Sequence, residues 1–152
     1  MPEWRTPLQE ITIGKGRKLK DGEDIAILSF GHPGNFVTTA IRELRTEGLN
    51  PAHYDMRFVK PLDEELLHEV CGKFNKIITV EDGAVKGGFG SAILELFEEK
   101  GISGIQIKRV GIPDNFVEHG SQDYLRHKYG LDAQGILKAV EELLEIRGSE
   151  IV

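Results

Sequence analysis

Only one cysteine, one tryptophan and two methionines occur among the 152 residues. A lone Cys71 excludes an internal disulfide and fits a reducing compartment, and its place in an apolar helix pattern predicts a core position. No apolar run approaches the about 20 residues of a membrane-spanning helix. No charged-then-apolar leader opens the chain, so neither a membrane span nor a signal peptide is expected and the protein reads as soluble and cytoplasmic. Nor is there an excess of positive charge. The 19 basic residues are outnumbered by 25 acidic ones, for a net charge of −6, which argues against nucleic acid and anionic membrane as partners. The basic cluster Lys15, Arg17, Lys18 and Lys20 is interrupted by Gly16 and Leu19 and reads as a solvated strand or loop. Catalytic motifs are also missing: there is no G-x-S-x-G elbow, C-x-x-C pair, H-E-x-x-H helix or Asp-rich calcium loop. The five histidines, His32, His53, His68, His119 and His127, show no metal-ligand spacing.

Glycine, by contrast, is plentiful, with 18 residues, and four of them punctuate the segment TVEDGAVKGGFGSAILE, 79–95. Ile77, Ile78 and Val80 suit a buried parallel strand, and Gly83, Gly87, Gly88 and Gly90 let the backbone turn tightly. Ala92, Ile93, Leu96 and Phe97 then share one helix face, with Gly101 as its stop. A structural turn, an interface element and a phosphate cradle all remain open for this junction. Against the cradle, the two phosphate-loop spacings are absent, and Glu81 and Asp82 place negative charge beside the turn.

Strands alternate with helices along the chain, which predicts one domain built on a mostly parallel sheet covered on both faces. The strands are expected at Asp24–Phe30, His53–Phe58, Lys76–Val80 and Ile105–Val110. Helices are expected at Gly34–Glu47, after an Asp63 cap, after the glycine turn, and at Asp132–Arg147. Residues 1–23 read as a linker ending in an edge strand at Ile11 and Ile13, and 24–152 as the domain proper.

Two further segments carry candidate site residues. In DMRFVKPLDEELL, 55–67, Asp55 and Arg57 are expected on one side of an extended strand, with Lys60 just before the turn at Pro61. An ion pair within the chain, a contact to another domain or subunit, and substrate binding are all open readings. In GIPDNFVEHG, 111–120, His119 follows a strand end, where α/β sheets place their sites; a Glu118 that orients the imidazole and a plain loop-ordering hydrogen bond between the two are both open readings, the second the leading one.

Taken together, IGKGRKLKDG, DMRFVKPLDEELL, TVEDGAVKGGFGSAILE, GIPDNFVEHG and GLDAQGI resemble, in order and spacing, the transketolase-type C-terminal domain of the 1-deoxy-D-xylulose-5-phosphate synthase family. Asp82 stands where that family often has a second glutamate. The resemblance implies a three-layer α/β/α sandwich with a mixed, mostly parallel sheet of about five strands and one antiparallel edge strand. It also implies a homodimeric parent enzyme that uses thiamine diphosphate and magnesium to condense pyruvate with glyceraldehyde 3-phosphate, releasing carbon dioxide. In that family the cofactor site belongs to the preceding domains, so no catalytic, cofactor or metal residue carries over to this chain. Asp55, Arg57, Lys60, Glu81, Asp82, Gly88, Phe89 and His119 are then candidates for packing against those preceding domains or a second subunit. The β subunit of a 2-oxo acid dehydrogenase decarboxylase resembles the same layout less closely, and a free-standing α/β binding module is the non-enzymatic alternative.

Overall fold

The structure, a computed structural model, describes residues 9–145. Five strands form one sheet: β1 (Arg17–Lys20), β2 (Ala26–Phe30), β3 (Ala52–Asp55), β4 (Lys76–Ala84) and β5 (Gln106–Ile112). Their order is β1-β3-β2-β4-β5; β1 is antiparallel to β3 and every other pair is parallel. Helices α1 (Gly34–Thr46) and α5 (Ala133–Leu144) cover one face. Helices α2 (Glu64–Lys73) and α3 (Phe89–Glu99) cover the other, and a short α4 (Gln122–Lys128) precedes α5.

Strand alternation divides the core between the two faces. Ile25, Ile27, Ile78 and Val80 pack under α1 and α5, whereas Ala26, Leu28 and Ile77 pack under α2 and α3. Burial on both sides explains why Ile25–Leu28 and Ile77–Val80 read as mostly apolar runs. The result is the expected three-layer α/β/α sandwich with its antiparallel edge strand.

That edge strand lies elsewhere than expected. Ile11 and Ile13 belong to no strand and are 54% and 76% exposed, while the basic segment Arg17–Lys20 pairs with β3. The reason is a turn: Lys15 N–H donates to the Thr12 carbonyl at 3.2 Å, and Gly14, at φ +76, seats against the Pro61 ring. The chain is thereby redirected before pairing begins. The second strand is also shorter than expected, stopping at Asp55, and β4 continues to Ala84 instead of ending at Val80. Helix α5 stops at Leu144, with Glu145 in a left-handed cap; Arg147 lies outside the described residues. Helix α4, absent from the sequence reading, is capped by Ser121, whose Oγ accepts from Tyr124 N–H.

Candidate functional site

The four parallel strands point their carboxyl ends the same way, and antiparallel β1 begins at that end. The loops after β2, β3, β4 and β5, and the entering segment 9–16, therefore share one end of the molecule. All eight residues singled out from the sequence lie there. The chain also reverses its direction of winding at this end, because β3 and β4 flank β2 on opposite sides. Such a switch point is where α/β sheets open a crevice.

The glycine turn has an occupant of its own. Glu81 is 3% exposed, and its carboxylate accepts from the backbone N–H groups of Phe89 at 2.6 Å and Gly90 at 3.0 Å. These are the first, otherwise unpaired donors of α3, so Glu81 stands where a bound phosphate would sit. Among the readings left open, the phosphate cradle is thereby excluded. The two acids part company: Glu81 turns inward, and Asp82 is exposed. Gly88 admits this closure because a Cβ there would overlap Glu81 Oε2 and the Ala84 carbonyl oxygen. Phe89 is buried and stacks on Phe30, ring centres 5.5 Å apart. Arg109 then pins the loop from β5, donating to the Val85 carbonyl at 2.8 Å and Ser91 Oγ at 2.9 Å.

After β3 the extended alternation does not continue, because Arg57 takes a left-handed conformation, φ 57. Asp55 accepts from Arg17 Nε at 3.0 Å across the β1–β3 pair and lies 3.8 Å from Arg57 Nε. Its principal partner is thus one the sequence reading had placed in a solvated cluster. Lys60 is exposed. Asp63 caps α2 by accepting from Leu66 N–H at 3.1 Å and also holds Gly16 N–H at 3.0 Å, tying the entering segment to this loop.

The loop after β5 places His119 in solvent. Glu118 does not orient it. Its carboxylate instead accepts from Lys128 Nζ and from Tyr124 Oη at 3.0 Å, and the Lys128 ammonium, then the Tyr124 hydroxyl, holds it below the usual carboxylate range. Phe116, which the sequence reading passed over, is fully exposed at 105%. The signal for it was an aromatic residue set between the turn formers of PDN and the polar EHG.

The remaining titratable groups do structural work. His53 is buried, with Nε2 2.8 Å from Ser29 Oγ, and burial pushes its pKa down to about 4 against an opposing pull from Asp55. His127 pairs with Asp132 at 2.7 Å, and the His32 ring meets Phe36 edge-on. The Cys71 thiol is half-buried beside the α2–α3 core and pushed up by that burial. Among the described residues, no group of three His, Cys, Asp or Glu side chains could hold a metal ion.

Comparison with known proteins is consistent across sequence and structure. The chain is 58% identical over 143 residues to 1-deoxy-D-xylulose-5-phosphate synthase of Cytophaga hutchinsonii, covering 94% of this chain and 22% of that protein. The synthase of Parabacteroides distasonis is 51% identical over 142 residues, covering 93% of this chain and again 22% of the relative. The chain thus spans about a fifth of the length of these curated relatives. A solved structure described as a split gene transketolase, inactive β4 tetramer, superposes with a TM-score of 0.84 at 34% identity, over 96% of this chain and 47% of that one. The family described as transketolase, C-terminal domain, matches residues 14–136, and the chain belongs to that family.

Proposed function

We propose that this chain is the C-terminal domain of a 1-deoxy-D-xylulose-5-phosphate synthase. The parent is a cytoplasmic homodimeric transferase that condenses pyruvate with glyceraldehyde 3-phosphate and releases carbon dioxide, supplying isoprenoid, thiamine and pyridoxal precursors. Within it this domain packs against the preceding domains through Asp55, Arg57, Lys60, Asp82 and His119, while Glu81, Gly88 and Phe89 shape that surface from beneath. The observation that carries this division of labour is the Glu81 cap. Thiamine diphosphate and magnesium, which the parent uses, do not fit this chain's described residues. The glycine-rich helix start that would suit a diphosphate is filled by a carboxylate held by two backbone donors, and no metal-ligand cluster stands near it. Cofactor and chemistry accordingly belong to the preceding domains.

The test is a graft. Replacing the matching segment of the Cytophaga hutchinsonii synthase with this chain yields an enzyme that makes 1-deoxy-D-xylulose 5-phosphate, and the isolated chain, given both cofactors and both substrates, makes none. A folded but inactive graft, or turnover by the isolated chain, overturns the proposal.

A further inference from the structure

A cavity of about 150 Å³ lies between the carboxyl ends of β4 and β5 and helix α4. At about 30 Å³ for each water, it has room for a ligand of several non-hydrogen atoms. One of its walls is Arg126, a cation kept from water without a close counter-ion. Its side chain is 18% exposed, and its nearest carboxylate is that of Asp123, 3.9 Å away and itself 100% exposed. Arg126 donates no hydrogen bond among the described residues. Its guanidinium lies over the Phe36 ring, 5.3 Å from the ring centre, and the stack joins the loop after β5 to the helix after β2. The ring covers one face of the guanidinium, and the N–H donors in its plane are left for an acceptor. A guanidinium so far out of water is costly unless an anion pairs with it.

The class of anion follows from the other walls. Ile112, Val117, Leu125 and Leu131 are apolar and suit a carbon body, which inorganic phosphate lacks. Asp82 lines the same space, and its negative charge disfavours a dianion more than a monoanion. A carboxylate is planar, singly charged and matched to the fork of a guanidinium. The Gln122 amide and the Tyr129 hydroxyl bring donors for one further ligand oxygen. The place is also suitable, since parallel sheets take their ligands outside the carboxyl ends of their strands. We infer that this cavity binds a short monocarboxylate with an oxygen on its second carbon, a 2-oxo or 2-hydroxy acid, its carboxylate on Arg126. The site is complete within this chain and needs neither a preceding domain nor a cofactor.

The experiment is a titration of the isotope-labelled 152-residue chain with sodium pyruvate at constant ionic strength, followed by amide chemical shifts. Saturable shifts are expected at Asp82, Ile112 and the α4 amides, with a dissociation constant on the order of millimolar for so small a ligand. Methyl pyruvate, which keeps the carbon body and lacks the charge, leaves these amides unmoved. Arg126→Met weakens binding at least tenfold, with the shifts of the sheet core unchanged. Arg126→Lys keeps the cation and loses the fork, and weakens binding about fivefold; it carries the test if the methionine variant does not fold. Asp82→Asn removes the like charge and tightens binding roughly twofold. Shifts that do not saturate, methyl pyruvate bound as well as pyruvate, or an affinity unchanged by either Arg126 substitution overturns the site. Inorganic phosphate bound at the same amides as tightly as pyruvate overturns the choice of a carboxylate.

Discussion

Gly88 stands against Glu81 with no room for a side chain: a Cβ at position 88 would meet the carboxylate that caps α3 and the Ala84 carbonyl behind it. The turn and the cap are therefore one device. Gly88→Ala must push Glu81 out of the helix start or displace β4, and is expected to cost about 2–3 kcal/mol. Glu81→Ala leaves two buried backbone donors unpaired and is expected to cost about 3 kcal/mol. Because both substitutions break the same contact, the double variant should lose clearly less than the sum, which urea unfolding of the four proteins would show. Additive losses would mean that the turn and the cap are independent.

Thr79 offers the opposite sign. Its hydroxyl is fully buried on β4 with no hydrogen-bond partner, facing the place where Gly90 lacks a side chain. Thr79→Val keeps the shape and removes the unpaired oxygen, and is expected to raise stability by about 1 kcal/mol. A loss of stability in thermal unfolding would mean that the hydroxyl is satisfied in solution.

His53 sets a pH dependence. Burial holds the folded imidazole neutral down to about pH 4, whereas the unfolded chain protonates at the ordinary value of 6.5. The unfolded state thus binds the extra proton in the window between, and stability present above pH 6.5 is lost as the pH falls towards 4. The slope is about 1.4 kcal/mol per pH unit, reaching roughly 3 kcal/mol. His53→Gln can still bond Ser29 and should flatten the denaturation profile across that window; an unchanged slope would assign the titration elsewhere.

Arg57 separates folding from docking. A left-handed backbone costs an L-residue about 1 kcal/mol more than glycine, and its side chain reaches Asp55 only at 3.8 Å. Arg57→Gly should leave the isolated chain within about 0.5 kcal/mol of its original stability, since relief of strain is offset by added freedom of the unfolded chain. Arg57→Val, β-branched at positive φ, should be clearly less stable than both. A large loss on Arg57→Gly, read by chemical denaturation, would give the guanidinium a role inside the fold.

The strands that could be read from the chain are those buried on both faces. Ile25–Leu28 is apolar without interruption and Ile77–Val80 is broken only by the β-branched Thr79, because helices cover each side, so composition alone betrays them. β1 has no such mark. Its four residues are mostly charged and its place is decided by β3, 33 to 38 residues away, whereas the alternation at Ile11 and Ile13 imitated a strand that the turn at Gly14 sets aside. The candidate site divides in the same way. That the loops of a parallel sheet gather at one end follows from topology, and so His119, Lys60 and Asp82 could be named together. That Glu81 folds back into a helix start, or that Asp55 takes Arg17 as a nearer side-chain partner than Arg57, depends on closures across the sheet that spacing along the chain does not encode.

Both margins of the sheet carry cations. Arg17, Lys18 and Lys20 line β1, and Lys108 and Arg109 line β5, with Lys108 tied down to Glu142 and Arg109 to the glycine turn. Two copies brought together margin to margin would set like charges against each other across an unpaired backbone, and the growth of a continuous ladder from molecule to molecule stops there. Self-association that leads to fibres is thereby resisted.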